Sequence, residues 1–273
     1  MKKESDYFIG AVEGVISDSL TCHKTVLQPT VQGVGKVISR IPRAINAAFS
    51  ALDKWILNKE YNVNETKQLL AQKLEKVDPK KIITPEIYVA VPAIQAISYS
   101  MNSEELRNLY ANLLAKAMNS DTKDLVHPSF VEIIKQMSPN DAVIFRKLMK
   151  RRANPIVDLV LETRENGSFI IQTNISDFDM KNVKNTCISI DNLIKHGLIS
   201  SPSGRYYSDS KLYDKILLSD YFLEQKQQYS TIPKEYKFNY KKGMIIKTNL
   251  GISFYNVCVN ELGQPPFSLS LEL

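Results

Sequence analysis

The sequence predicts a mainly α fold with a small β part: an amphipathic helical arm and a helical bundle first, then an α+β module. Three observations predict it. Apolar residues in the first half recur at three- and four-residue steps, the repeat of helices with one buried face. Residues 85–139 are dense in helix starts and stops. After Arg152 the pattern changes to short apolar runs around Glu165-Asn166-Gly167, and Asn-Gly between such runs marks a hairpin. The expected organisation is an arm over residues 1–78, a helical core over 79–137, a module over 138–260 and a tail over 261–273.

Composition narrows the class. With 44% hydrophobic and 23% charged residues, the 273-residue chain has a core to bury and is not a disordered tract. The net charge of +6 permits an anionic partner, nucleic acid or membrane, without requiring one. Cys22, Cys187 and Cys258 are far apart and odd in number, which reads as reduced thiols in the cytosol. The N-terminus shows no secretion leader, and no apolar run approaches the ~20 residues that span a bilayer. The expected location is cytoplasmic, at most peripheral to the inner membrane.

The strongest periodicity lies in the arm. Val34, Ile38, Ile41, Ile45, Ala48, Phe49, Leu52, Trp55 and Ile56 fall in one stripe, and Lys36, Arg40, Arg43 and Lys54 fall opposite. Lys24 to Lys59 holds six basic residues against one acidic, so the polar face is cationic rather than mixed. Pro42 either kinks this helix or starts it. Two readings stand: a helix that lies on an anionic membrane surface, with Val34, Ile38, Ile41, Ile45, Phe49, Leu52 and Trp55 facing the lipid, or one docked on its own domain. A second helix is expected over Asn64–Val77, ended by Asp78-Pro79.

In the core, Tyr88–Ser100 is apolar nearly all round and reads as a buried helix. Asn102 with Glu105 fits a capping box for the next helix, which runs to about Met118. Its inward positions are Leu106, Leu109, Tyr110, Leu113, Leu114 and Ala117, with Ala111 and Ala115 permitting close approach. His127-Pro128-Ser129 is a turn, with Ser129 capping a helix that carries Phe130, Ile133, Ile134 and Met137. Ser138-Pro139-Asn140-Asp141 repeats the pattern of cap, proline and acid. Asp124, His127 and Ser129 are the residue types of a hydrolytic triad. A working triad, however, converges from separated positions, and the local reading is turn and cap.

In the module, strands are expected at Ile156–Leu161, Ser168–Gln172 and Lys242–Thr248. A helix is expected over Asn182–His196, stopped at Gly197, and Thr248 caps a last helix. The order of helices, then a turned strand pair, is similar to winged-helix modules, with Ser200–Tyr207 near the wing. In that reading the Asn182–His196 helix exposes Lys184, Asn185, Asp191, Asn192 and Lys195, and Lys181, Lys184, Lys195 and Arg205 are the nucleic-acid candidates. Lys181 to Lys247 carries twelve basic and six acidic residues, a basic balance but not a dense patch. Winged helices also serve protein contact.

Catalytic and metal signatures are not read in the sequence: there is no His-Glu-x-x-His, no paired-cysteine zinc spacing and no nucleophile elbow. Asp177-x-Asp179 reads as a cap before a helix. No enzyme activity, cofactor or metal is expected.

The stretch Glu105–Met118, ELRNLYANLLAKAM, with Val126–Pro139, VHPSFVEIIKQMSP, resembles the core of the Abi-alpha family, bacterial proteins associated with abortive infection against phage. The resemblance runs from about Leu27 to Val259, and His127-Pro128-Ser129-Phe130 is a recognisable family phrase. It implies anti-phage defence in which an infected cell stops growing. Three modes are open. A phage or host protein contacts the module or bundle and releases the arm to perturb the membrane; or the module binds nucleic acid; or the chain is a structural or assembly partner.

Overall fold

The computed structural model describes residues 60–99, 103–165, 167–262 and 264–267. Val34, Ile38, Ile41, Ile45, Phe49, Leu52 and Trp55, the basic face Lys36, Arg40, Arg43 and Lys54, and Cys22 and Asn102 lie outside the described residues.

The first half is a set of helices around one central rod. Helix α1 (Glu60–Leu74), a 3-10 turn (Pro79–Lys81), α2 (Ile87–Tyr99) and α3 (Glu104–Ala117) come first. A second 3-10 turn (Lys123–Leu125), α4 (Ser129–Lys135) and α5 (Pro139–Lys150) follow. Helix α3 is the rod: it packs against α1, α2, α4 and α5. All six expected inward residues are buried, as are Ala111 and Ala115. Its cap is Ser103, whose Oγ accepts the Leu106 N–H at 3.3 Å, one residue beyond the Asn102 expected from sequence. Helix α1 stops at Leu74 rather than Val77, and Asp78 caps the 3-10 turn by accepting the Lys80 N–H at 2.9 Å.

Helix α2 departs from the all-round burial its composition suggests. Val89, Ala90, Ala93, Ile94, Ala96 and Ile97 are buried, but Ile87 and Tyr88 are 68% and 60% exposed. The helix packs on α1, α3 and α4, and only its first turn, Ile87 and Tyr88, stands outside those contacts. Pro92 sits inside α2, and the carbonyl it leaves without an N–H partner belongs to exposed Tyr88.

The second half wraps a sheet. Strands β1 (Pro155–Thr163), β2 (Ser168–Ile175) and β4 (Tyr236–Met244) form an antiparallel sheet in the order β2-β1-β4. The two-residue strands β3 (Ile199–Ser200) and β5 (Ile246–Lys247) pair separately. Helix α6 (Val183–Lys195) follows the hairpin, and α7 (Asp214–Leu217), α8 (Asp220–Gln228) and α9 (Asn249–Phe254) come later. The end of α6 follows the sequence: Gly197 at φ +69° donates to Ile194 O at 2.8 Å, and Leu198 N donates to Leu193 O at 3.1 Å. The last cap also holds, with Thr248 Oγ1 accepting the Gly251 N–H at 2.9 Å. Gly251 is needed there, because an added Cβ would lie 1.9 Å from Leu198 O.

Two expectations for this half are corrected. Ile199-Ser200 finds its strand partner at Ile246-Lys247, and Tyr206 and Tyr207 lie outside strands, so Ser200–Tyr207 is not a strand pair. Tyrosine hydroxyls occupy the loop instead. Tyr213 OH accepts the Tyr207 N–H and donates to Gly243 O, both at 2.9 Å, and Tyr207 OH accepts the Asn154 N–H at 3.0 Å. Strand β4 also starts six residues before Lys242, carrying Tyr236, Phe238 and Tyr240 at alternate positions.

Two apolar cores result. The larger runs from Leu70 through Phe145 to Cys258, drawing on residues from both sides of residue 138. Phe254 stands edge-on to Phe130 and Phe145, with ring centroids 5.4 and 5.6 Å away. A π-helical turn, Tyr255–Val259, follows and packs on α3, where the Asn112 amide donates to Cys258 O at 2.9 Å. Asn256 then binds the Phe267 backbone twice, donating to its carbonyl at 3.0 Å and accepting its N–H at 2.7 Å. The smaller core puts Val157, Leu159 and Ile175 of the sheet against Cys187, Tyr213, Ile216 and Phe222.

Helices α5 and α6 are joined by polar side chains. Ser138 and Asp141 form the expected capping box: Asp141 N–H donates to Ser138 Oγ at 3.1 Å, and Asp141 Oδ2 accepts the Ser138 N–H at 2.7 Å. The same Asp141 oxygen accepts the Asn192 amide of α6 at 2.8 Å, and Asn140 donates to Ser189 Oγ at 2.7 Å. Asp141 is only 3% exposed, so its removal strands two donors. Asp141→Ala is expected to cost about 3 kcal/mol, a lost cap plus a charged buried acceptor. Urea unfolding checks this as a lower midpoint at unchanged slope.

Candidate functional site

The surface that sequence reading singles out is the outer side of α6, and the fold decides what it presents. Val183, Thr186, Cys187, Ser189, Ile190 and Leu193 face inward. Lys184, Asn185, Ile188, Asp191 and Lys195 are exposed. Lys184 and Lys195 are eleven residues apart, which brings them to one stripe about 16 Å apart along the axis. Between them on that stripe stand Ile188, 64% exposed, and Asp191. Asn192, expected to be outward, is half-buried and spent on Asp141 and on Gln136 O at 3.2 Å.

The other two candidate cations sit on loops. Lys181 is exposed beside Asp179, which accepts the Lys181 N–H and the Asn182 amide, both at 3.1 Å. Those bonds hold the Asp179 carboxyl below its ordinary range, the Asn182 amide contributing most. Arg205 is exposed beyond Gly204, at a turn with φ +73°. Asp177 takes a separate role, pairing with Arg151 and lying 4.0 Å from Lys215. Among the described residues no group of three or more His, Cys, Asp or Glu could hold a metal ion.

The His127 turn is a local cap. His127 Nδ1 lies 2.7 Å from Ser129 Oγ and accepts the Ser129 N–H at 3.2 Å, so the ring nitrogen, not Ser129, caps α4. Asp124 is exposed in the preceding 3-10 turn. A cleft of about 360 Å³ lies between α1 and α3, lined by Gln68, Gln72, Glu104, Arg107 and Asn108 around Leu69 and Ile97. It offers amides and charges of both signs.

Sequence reading missed a polar knot beneath α6. Asn174 is the one non-glycine residue with positive φ among the described residues, at 58° in a β-bulge. Its N–H donates to Asp158 Oδ1 at 2.8 Å and its amide to Asp191 Oδ1 at 2.6 Å. One signal was available: asparagine tolerates the left-handed conformation that β-branched neighbours do not. Nearby Cys187 is buried, which pushes its thiol pKa up to about 12.

Taken together, these features define a mainly helical protein with a small antiparallel sheet. The chain belongs to the abortive infection alpha family, whose model matches residues 58–258. No curated protein and no solved structure matches it. No helix among the described residues is long and apolar enough to cross a membrane.

Burial raises the Asp158 pKa; the Asn174 N–H opposes this, Asp191 adds to it and Lys241 opposes it. A carboxyl raised in the folded state stabilises that state while protonated. The contribution is lost as pH rises from the ordinary carboxyl range, near 3.8, through the folded pKa. Asp158→Asn keeps an acceptor for the Asn174 N–H and removes the charge. Thermal unfolding across pH is expected to show the variant gaining on the parent as pH rises to neutrality, and the gap closing in acid.

Proposed function

We propose that this protein is a non-catalytic abortive-infection defence protein that acts through contact with a phage or host protein and through its arm on the inner membrane. The observation that carries the reading is the family match over residues 58–258. The matched span begins at residue 58, after the amphipathic segment of residues 34–55 with its basic face. A non-catalytic mode is supported by the ordinary structural duties of His127, Asp177 and Asp179. In this reading the body senses infection, and the arm, once free, lays Ile45, Phe49 and Trp55 into the acyl boundary while Arg40, Arg43 and Lys54 meet anionic headgroups.

The test is membrane potential, followed with a voltage-sensitive dye in bacteria expressing the protein through phage challenge. Depolarisation before lysis is expected, and Phe49→Asp or Ile45→Asp is expected to abolish it. Growth arrest at intact potential defeats the membrane reading.

A second reading is favoured by the exposure of all four nucleic-acid candidates, Lys181, Lys184, Lys195 and Arg205. Binding through them would weaken with salt by about one log unit per log salt for each phosphate contact. A salt-independent signal, or one unchanged in Lys184→Ala/Lys195→Ala, excludes this surface.

A further inference from the structure

The sheet β2-β1-β4 has two outer edges, and they are built differently. Unpaired strand edges invite further pairing, and proteins guard them with charge, above all lysine. Strand β4, YKFNYKKGM, is lysine-bearing: Lys237 and Lys241 are exposed, Lys241 reaching across to Ser168 Oγ at 3.1 Å, while Lys242 turns to Ser210 Oγ at 3.0 Å. Strand β2, SFIIQTNI, carries no charged residue and no proline. Among the described residues no backbone hydrogen bond runs from Phe169–Thr173 to any element but β1. Phe169 and Ile170 are 59% and 64% exposed. Cover increases along β2: Ile171, Gln172 and Thr173 are half-buried, and Asn174 and Ile175 are buried, with Asn174 bound to Asp191 of α6.

We propose that the outer edge of β2 pairs with the same edge of a second copy of this chain, antiparallel about a two-fold axis, to make one six-stranded sheet. Between copies of this chain, the charge pattern favours the β2 edge over the β4 edge for pairing. Two β4 edges brought together would set lysines against lysines, whereas two β2 edges oppose no like charges. The flanking turn adds no net charge, because Arg164 and Glu165 are both exposed and opposite in sign. Antiparallel pairing brings that turn to the partner's covered end, where Asp191 is exposed. Phe169 and Ile170, on opposite faces of the sheet, each gain cross-strand neighbours. The assembly also closes: pairing consumes the open edge of each copy and leaves lysine-bearing β4 at both ends, so growth stops at two.

The experiment is light scattering on the purified full chain over a dilution series. The parent is expected at twice the chain mass. Ile170→Lys, which puts a cation into the open edge at an exposed position, is expected to halve that mass while the circular dichroism spectrum stays unchanged and the unfolding temperature loses its dependence on protein concentration. Ile170→Cys in a Cys22→Ser background is expected to form a covalent dimer under mild oxidation, Cys187 and Cys258 being buried. A parent that is monomeric throughout overturns the proposal. So does a dimer that survives Ile170→Lys while the Ile170→Cys variant fails to cross-link.

Discussion

One buried carboxylate sets the relation between the two halves of the molecule. Asp141 must be in the first turn of α5 to close the capping box with Ser138, and from that position its other bond fixes Asn192 of α6. Helix α6 in turn belongs to both cores, giving Ile190 and Leu193 to the larger and Val183 and Cys187 to the smaller. The staple therefore holds more than a helix pair: moving α6 against α5 would open two apolar clusters at once. This is also why the outer side of α6 is narrow, since Ser189 and Asn192 are spent on α5 where a groove-reading helix would leave polar positions free.

Much of the helical half was legible because its signals are local. The rod α3 shows a wide apolar stripe, Ser138-Pro139-Asn140-Asp141 spells the cap of α5, and Gly197 spells the end of α6. The first hairpin was legible for the same reason. What was missed depends on distance. Nothing near Ile199 says that its strand partner is Lys247, and nothing near Tyr213 says that its hydroxyl serves Tyr207 and Gly243. The alternation Tyr236-Phe238-Tyr240 was there to read as a strand; Lys237 and Asn239 between them hid it, because an edge strand is polar where a central one is not. Helix α2 is buried or half-buried from Val89 to Ile97 and departs from its apolar composition only in the first turn, at Ile87 and Tyr88.

The candidate site was legible in residue type and not in use. The four cations read from sequence are exposed, but Ile188 and Asp191 share the stripe of Lys184 and Lys195 and make that surface mixed. The knot of Asp158, Asn174 and Asp191 could not be read, because it joins two strands and a helix through a bulge whose position depends on register.

The closing contacts of the larger core carry a consequence for synthesis. Asn112 on the central rod waits for Cys258, 146 residues later in the chain. At roughly 5–20 residues per second, the ribosome takes roughly 7–30 s to make that stretch. Over that interval α3 has left the ribosome with its apolar stripe unmatched by Phe254, Val257 and Cys258. For that interval the nascent helical half exposes apolar surface, the kind of surface that chaperones exist to shield.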